Sequence, residues 1–338
     1  MAKRKIKLHF QNGLELSSFK KEVFDIEGLS DDFDFVASDH PDVIIFGPYG
    51  NDIPQKGNYT RVGYYCENIK PDMSICEWAF GVPREAEVQH PRYKRIQWHG
   101  TNPAELIKPD DYNAQQIAAG KKHFCNFLYS HKVPYREEFY RQLSKYKKVD
   151  APGKSMNNMP GIDTLYTGDM WQRKRHFLSD YKFTIAFEND IYPGYQTEKL
   201  YDAMKANSIP IYCGDPFVGD IFYTGSFINA ADYLSPNSSV IGNTLLKMGQ
   251  MDFEDLRPAQ LTGLKYRVKR KTKAFARSAG RQLQFKNMDF SPLIERIIEL
   301  DTKPEMYLQY LKQPWFKQNQ PPADISAKSR WIEIFNGR

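Results

Sequence analysis

Residues 181–216 are the most informative stretch of the chain, and they read YKFTIAFENDIYPGYQTEKLYDAMKANSIPIYCGDP. Phe183, Ile185 and Phe187 alternate with small or polar residues, which is the two-residue period of a strand. A second branched run, 209–213, predicts another strand at the end of the stretch. The stretch therefore predicts a strand, a loop, a helix, a second strand and a turn.

The segment between these two strands has the pattern of a helix over 196–207. Leu200, Ala203 and Met204 are spaced three and four residues apart, so they fall on one helix face. In such a strand, helix and strand unit, the loop and the first helical turn lie at the carboxyl ends of the strands, where open α/β sheets bind ligands. We therefore expect a ligand site at this loop.

The start of this helix has the features of an anion site. Thr197 is a predicted N-cap, and the first amides of a helix have no partner within it. Lys199 adds a positive charge where the helix dipole is already positive, so a diphosphate would be held well. Without further evidence, a simpler interpretation is more common: Glu198 only complements the helix dipole, and Lys199 is a solvated lysine on the helix surface. The pattern by itself leaves both interpretations open.

Other parts of the chain repeat this alternation of strands and helices. Helices are predicted over 136–146 and 292–300. Further strands are predicted over 6–10, 43–46, 62–66 and 124–129. The alternation predicts an α/β protein with open parallel sheets covered on both faces.

The length of 338 residues exceeds the ~100–200 residues of a usual domain, so two domains are expected. The stretch 101–120 has two prolines and no strong strand, and it precedes a new strand and helix. We place the boundary there. The predicted domains are an N-terminal domain over 1–110, a C-terminal domain over 111–300, and a tail over 301–338 packed on the domains.

Composition favours a packed globular protein, with 41% hydrophobic and 26% charged residues. The net charge of +6 fits an anionic ligand but excludes little. The four cysteines are scattered without a CxxC pair, which predicts free thiols and a cytoplasmic location. The basic N-terminus passes directly into a strand-like run, so no signal peptide or membrane span is predicted there.

The spacing of FEN, five residues and YQTEK, followed by IPIYCGDP, resembles the signature of the α-1,3/1,4-fucosyltransferases, glycosyltransferase family ten. Weaker resemblance extends over most of the chain. The resemblance implies a GT-B architecture of two Rossmann-like domains facing across a cleft. The N-terminal domain would face the acceptor, and the C-terminal domain would hold the nucleotide sugar.

The resemblance also implies roles for individual residues of the C-terminal domain. Asn189, Tyr195, Glu198 and Lys199 match donor-binding positions of the family. Arg136 matches an arginine that contacts the GDP diphosphate, a role that suits the fork of a guanidinium. Glu198 is also a candidate catalytic residue, either on the ribose hydroxyls or facing the developing positive charge. The run 153–161 resembles a further family loop, expected near the nucleotide.

Glu67 is the candidate catalytic base, because it matches the family's proposed base at the end of the predicted strand 62–66. An inverting transfer needs a carboxylate within hydrogen-bond reach of the attacking hydroxyl. Without the resemblance, an exposed glutamate at a strand end is an equally good interpretation.

The expected reaction is the transfer of L-fucose from GDP-β-L-fucose, with inversion, to a sugar hydroxyl. The expected acceptor is an N-acetyllactosamine-type (LacNAc) oligosaccharide, either free or linked to a lipid. Attack by O3 of its GlcNAc would give an α-1,3 linkage. Because two cationic side chains would stabilise the leaving GDP, no cofactor or divalent metal is expected to be obligatory, and a divalent metal would at most stimulate.

Rival functions rest on weaker patterns. Asp32 and Asp34 have the spacing of a Mn²⁺ site in a metal-dependent glycosyltransferase, but we interpret them as solvated charge. A dinucleotide-dependent oxidoreductase is a second rival, but the sequence contains no GxGxxG motif. Gly214 and Gly219 have the glycine spacing of a P-loop, but Asp220 occupies the position at which a P-loop has lysine. Segment 265–281 has eight cations, on which a non-enzymatic alternative rests: a basic protein that binds nucleic acid or a membrane surface. We interpret the segment instead as a solvated helix rather than a membrane anchor. The alternative is peripheral contact with the inner face of the membrane. Nucleic acid is not an expected partner.

Overall fold

The computed structural model describes residues 3–234, 240–256, 259–285 and 288–337. The strands are β1 Arg4–Gln11, β2 Phe33–Ala37, β3 Val43–Phe46, β4 Thr60–Tyr65, β5 Ile69–Lys70, β6 Trp78–Gly81, β7 Tyr93–Arg95, β8 His123–Asn126, β9 Val149–Asp150, β10 Tyr181–Phe187, β11 Ile209–Cys213, β12 Ile228–Asn229 and β13 Met251–Asp252. The α-helices are α1 Leu16–Phe19, α2 Glu85–Val88, α3 Ala114–Ala119, α4 Pro134–Leu143, α5 Ile162–Leu165, α6 Met170–Ser179, α7 Glu198–Lys205, α8 Val240–Met248, α9 Leu264–Phe285, α10 Ser291–Thr302, α11 Pro304–Lys312 and α12 Lys328–Phe335.

The chain forms two compact units, both made from separate stretches of sequence. The first unit contains 1–102, 238–284 and 322–338, and the second contains 103–237 and 285–321. Segment 238–284, placed in the C-terminal domain from sequence, therefore packs with the first unit. The predicted tail divides, since 301–321 packs with the second unit and 322–338 with the first.

The first unit is built on a six-stranded sheet in the order β2-β1-β3-β4-β6-β7. All its neighbouring strands are parallel. One face is covered by an aromatic core that includes Phe80 and the α12 residue Trp331, whose rings stack 4.2 Å apart between centroids. A small parallel ladder joins β13 to β5 through Met251 and Ile69, and so ties the later segment to this unit.

The second unit has a five-stranded parallel sheet in the order β12-β11-β10-β8-β9. Phe183, Ile185 and Phe187 of the central strand β10 belong to its core, together with Leu293 of α10 and Leu311 of α11. Because the strands are parallel, the loop after β10 lies at the carboxyl edge of the sheet, where α/β proteins place ligands.

The predicted α/β class with parallel sheets is confirmed. Each of the strands and helices named from sequence is present, with ends that differ by at most three residues. The sequence patterns missed several short strands, among them β9 and β12, because two residues carry no detectable period. All four cysteines are free thiols. Among the described residues, none of the helices combines the length and the apolar character needed to cross a bilayer.

Candidate active site

The loop between β10 and α7 is held from below by two buried acidic residues. Asp215, only 2% exposed, accepts hydrogen bonds from the Gly194 amide at 2.8 Å and from the Gln196 side chain at 2.6 Å. Glu188, fully buried, accepts from the backbone amide of Thr197 at 2.8 Å and from its hydroxyl at 2.7 Å. These bonds fix both ends of the segment that leads into α7.

Gly214 lets the turn after β11 approach this loop. A Cβ atom on Gly214 would lie 2.5 Å from Cγ of Glu188 and 2.5 Å from the Tyr212 hydroxyl. No side chain fits at that separation, so Gly214 is required for Glu188 to sit beneath the loop.

Lys199 is the cation at the start of α7. Its Nζ donates to the Thr197 hydroxyl at 2.8 Å and to Oε2 of Glu188 at 3.2 Å, and it lies 3.4 Å from Oε1 of Glu198. Although burial opposes its charge, Glu188 and Glu198 raise the pKa of Lys199 above its usual value. Lys199 is therefore a fixed ammonium rather than the freely solvated lysine of the alternative interpretation.

The two glutamates that flank Lys199 differ in environment. Burial raises the pKa of Glu188, despite the opposing charge of Lys199. Burial also opposes ionisation of Glu198, but Lys199 and Lys174 outweigh it and lower its pKa. Since the Glu198 side chain is 41% exposed, it is an ionised carboxylate available to a ligand.

Arg136 is fully buried in the first turn of α4. Its guanidinium donates to the carbonyl of His131 at 2.7 Å and to Oδ1 of Asn189 at 3.0 Å, and it stacks 3.7 Å from the centre of the Tyr129 ring. It has no carboxylate partner within the described ranges, and its buried Nε has no hydrogen bond there. A buried cation without an anion is costly, so this arrangement favours an anionic ligand.

The burial of Arg136 also limits how a ligand reaches it. Because none of its surface faces solvent, any ligand would contact the guanidinium only after a neighbour such as Asn189 moves aside. Tyr195 is likewise 3% exposed, and its carbonyl accepts from the Tyr212 hydroxyl at 3.4 Å. Within the second unit, the structure thus presents Lys199 and Glu198 directly, with Arg136 and Tyr195 behind them.

Thr197 occupies the N-cap position of α7, as its sequence predicts. Its hydroxyl, however, donates to Glu188 instead of accepting a bond from a helix amide. The predicted N-cap position is therefore confirmed, but no side-chain cap bond forms, because the fully buried Glu188 carboxylate accepts from both Thr197 donors.

Residues 153–161 pack against the aromatic floor of the Arg136 site. The Ser155 amide donates to the carbonyl of Tyr129 at 3.0 Å, and the Ser155 hydroxyl donates to Glu137 at 2.8 Å. This loop therefore supports Tyr129, the ring on which the guanidinium of Arg136 stacks.

Glu67 lies in the first unit, just after β4, and it is exposed. Its carboxylate is close to the phenol of Tyr49, since burial and Glu67 together raise the pKa of Tyr49 to about 12. Burial and Glu67 also raise the pKa of the Cys66 thiol to about 12. The strand end thus presents an accessible carboxylate beside an exposed tyrosine.

The acidic pair of the metal-dependent rival has a different setting. Asp32 forms an ion pair with Lys328 at 3.3 Å, and both side chains are partly exposed to solvent. In the portion of the chain that the structure describes, no group of three or more His, Cys, Asp or Glu residues could hold a metal ion.

Comparison with known proteins finds one family whose model matches the region that contains this site. Residues 118–252 match the family described as glycosyltransferase family 10 (fucosyltransferase), C-terminal part. The match covers 135 of the 338 residues, about two fifths of the chain. The match includes Arg136 and the whole loop from Glu188 to Lys199.

Known fucosyltransferases resemble this chain over a limited stretch. A putative fucosyltransferase, R654 of Acanthamoeba polyphaga mimivirus, is 40% identical over 108 residues, which are 28% of this chain and 16% of that protein. The α-(1,3)-fucosyltransferase FucT of Helicobacter pylori is 38% identical over 114 residues, which are 33% of this chain and 22% of that protein. The matched stretches therefore span less than a quarter of these relatives.

The resemblance of this chain to solved structures extends over nearly its whole length. A crystal structure of an α1,3-fucosyltransferase with GDP-fucose superposes with a TM-score of 0.63 at 20% identity, covering 99% of this chain and 91% of that one. A structure of an α1,3-fucosyltransferase with GDP matches equally well. These matches confirm the GT-B fold class.

Three residues of the site were missed by sequence reasoning: Glu188, Asp215 and Tyr129. Glu188 belongs to the FEN motif, but the sequence pattern did not predict that it pairs with Lys199. A signal was present, since a glutamate that directly follows the strand 183–187 enters a site at the sheet edge. Nothing in the local sequence indicates that Tyr129 stacks on Arg136.

Proposed function

We propose that this protein is a fucosyltransferase that transfers L-fucose from GDP-β-L-fucose to a sugar hydroxyl with inversion. The observation that carries the proposal is the fixed ammonium of Lys199 at the start of α7, within the stretch that matches the family. A helix start with a lysine beside it suits a diphosphate.

In the donor site, Lys199 and the first amides of α7 bind the diphosphate oxygens. Arg136 supplies a second cation once Asn189 releases it, and the diphosphate becomes the anion that the buried guanidinium lacks. Tyr195 contributes through packing of the loop, because its ring is buried. Glu198, ionised and exposed, binds ribose hydroxyls or faces the positive charge that develops on the sugar.

The chemical step is a direct displacement. Glu67 takes the proton of the acceptor hydroxyl as its oxygen attacks C1 of fucose. The bond from C1 to the diphosphate oxygen breaks, and GDP leaves with the negative charge that Lys199 and Arg136 stabilise. Exposure of Glu67 at a strand end supports this assignment, because a base must meet a substrate that arrives from solvent.

We propose that no divalent metal is obligatory, since two cations already offset the charge of the leaving group. A metal would at most stimulate. The ion pair between Asp32 and Lys328 supports the view that this acidic loop is surface charge.

The finer points of the reaction are also proposals. We take the acceptor to be a LacNAc-type oligosaccharide, free or lipid-linked, with O3 of GlcNAc as the attacking hydroxyl and an α-1,3 linkage in the product. Four free thiols are consistent with a cytoplasmic location.

Nucleotide selectivity tests the donor assignment first. GDP should raise the melting temperature by mass action, while UDP at the same concentration should raise it much less. Equal shifts would remove the assignment of a guanine nucleotide donor. GDP-fucose offered with an array of acceptors, followed by linkage analysis of the product, then identifies the acceptor and the hydroxyl.

A further inference from the structure

Helix α9, Leu264–Phe285, has an inner face that packs within the first unit. Ala276 and Gly280 are its buried residues. A Cβ atom on Gly280 would lie 2.9 Å from the backbone nitrogen of Leu246, so α8 and α9 pack closely at this point. This face is therefore occupied by the protein itself.

The cations near the inner face are neutralised by neighbouring acids. Lys273 pairs with Asp252 at 2.7 Å and with Asp255 at 2.5 Å. Lys269 pairs with Glu254. These lysines have partners in the fold, and they leave little charge for a ligand.

Two arginines of α9 donate hydrogen bonds to backbone carbonyls of the protein. Arg270 donates to the carbonyl of Leu261 at 3.0 Å, and Arg277 donates to that of Gly249 at 2.6 Å. The count of eight cations in the sequence therefore overstates the free charge of this segment.

The outer face of α9 carries an apolar stripe with a cation inside it. Leu264 is 78% exposed, Val268 is 55% exposed and Phe275 is 73% exposed. With Lys271, these residues follow one another at four, three and four positions, so they lie within about 60° of each other around a helix of 3.6 residues per turn. Three large apolar side chains thus point into solvent along one line.

Three exposed cations lie within or beside this stripe. Lys265 lies on one side and Arg267 on the other, and both are exposed, as is Lys271 within the stripe. Among the residues that the structure describes, none of these three cations has a hydrogen bond or an ion pair. The helix contains no acidic residue. The outer face therefore combines exposed apolar surface with uncompensated positive charge.

We propose that the outer face of α9 docks on an anionic lipid surface. A helix with an apolar stripe flanked by cations lies in a membrane interface, with the stripe among the acyl chains and the cations at the anionic headgroups. Nucleic acid would satisfy the cations only and leave Phe275 in water. If a second copy of the chain packed on the same face, the cations Lys265, Arg267 and Lys271 would repel the same cations of that copy. This inference is independent of the proposed reaction.

Sedimentation with vesicles tests the proposal. The full chain should bind vesicles of phosphatidylcholine with phosphatidylglycerol, bind phosphatidylcholine alone far more weakly, and lose binding as salt rises. Lys265→Ser with Arg267→Ser and Lys271→Ser should weaken binding about a hundredfold, at the usual contribution of each cation near an anionic surface. The melting temperature should stay near that of the wild type, because the three side chains are exposed.

The apolar stripe needs its own variant and a matched control. Leu264→Ser with Val268→Ser and Phe275→Ser should weaken binding at least about tenfold while leaving every charge in place. The control is Lys5→Ser with Lys21→Ser and Lys56→Ser, which removes the same charge from exposed sites elsewhere in the first unit. This control should bind nearly as well as the wild type.

Several results would overturn the proposal. One is equal binding to neutral and anionic vesicles, and another is a loss in the control that matches the loss in the α9 variants. Binding of DNA that the α9 variants abolish, with no vesicle binding, would assign the face to nucleic acid. Self-association that the same variants abolish, again without vesicle binding, would assign it to a second copy.

Discussion

Lys199→Met removes the charge at the start of α7 while keeping the length of the side chain. In the wild type, Nζ of Lys199 lies 3.2 Å from a carboxylate oxygen of Glu188, which is fully buried. Breaking a buried pair by removing one partner costs about 3–5 kcal/mol. We expect about 3 kcal/mol, at the lower end, because Thr197 still donates two hydrogen bonds to the carboxylate.

This loss of stability should depend on pH. Burial raises the pKa of Glu188 even with Lys199 opposing it, so loss of Lys199 should raise that pKa further. When a carboxyl group has a higher pKa in the folded than in the unfolded state, the free energy of unfolding of the protein decreases as pH rises between the two pKa values. The loss of unfolding free energy in Lys199→Met should therefore be small at acid pH, where Glu188 is protonated, and should reach its full size above the raised pKa.

A second substitution separates folding from ligand binding. Glu188→Gln, added to Lys199→Met, removes the unpaired charge and still accepts from the Thr197 amide, so most of the lost stability should return. Affinity for GDP should stay low, by about 1–3 kcal/mol or roughly fivefold to 150-fold, because the cation that binds the diphosphate is absent. Denaturant unfolding and calorimetric titration with GDP measure the two quantities.

Lys205→Met is the matched control on the same helix. Lys205 pairs with Glu105 at 2.9 Å, but the Glu105 side chain is 47% exposed. Its removal should cost less than about 1 kcal/mol and leave GDP affinity unchanged. The reasoning fails if the double variant recovers wild-type GDP affinity, or if Lys205→Met loses as much affinity as Lys199→Met.

Other predictions concern the base, the buried arginine and the metal. Glu67→Gln should lower turnover about a hundredfold or more with GDP affinity near normal, and initial rates close to wild type would exclude Glu67 as the base. Arg136→Ala should weaken GDP binding by about 1–3 kcal/mol, whereas Arg141→Ala, an exposed residue of the same helix, should not; equal calorimetric losses would contradict the assignment. Fucose transfer should survive EDTA at least in part, and a complete loss that Mn²⁺ restores, but not after Asp32→Ala with Asp34→Ala, would favour the metal-dependent rival.

Short-range patterns in the sequence determined the strands, the helices and the place of the loop. The alternation of Phe183, Ile185 and Phe187 sets which face of β10 joins the main core of the second unit, and the spacing of residues in 196–207 sets the buried face of α7. These features depend on neighbours within one or two turns, so they can be predicted without a tertiary structure. The motif spacing likewise located Asn189 and Lys199, because both lie within one short segment that runs from the loop into the first turn of α7.

Only the tertiary structure decided which distant groups meet at the site. Arg136 contacts Asn189, 53 residues further along the chain, and stacks on Tyr129, and no local pattern specifies either contact. The same holds for segment 238–284, which packs with the first unit through the pairing of Met251 with Ile69. Such contacts form because the sheets bring the segments together in space, and the free energy of packing that selects them depends on the whole core rather than on any one stretch of sequence.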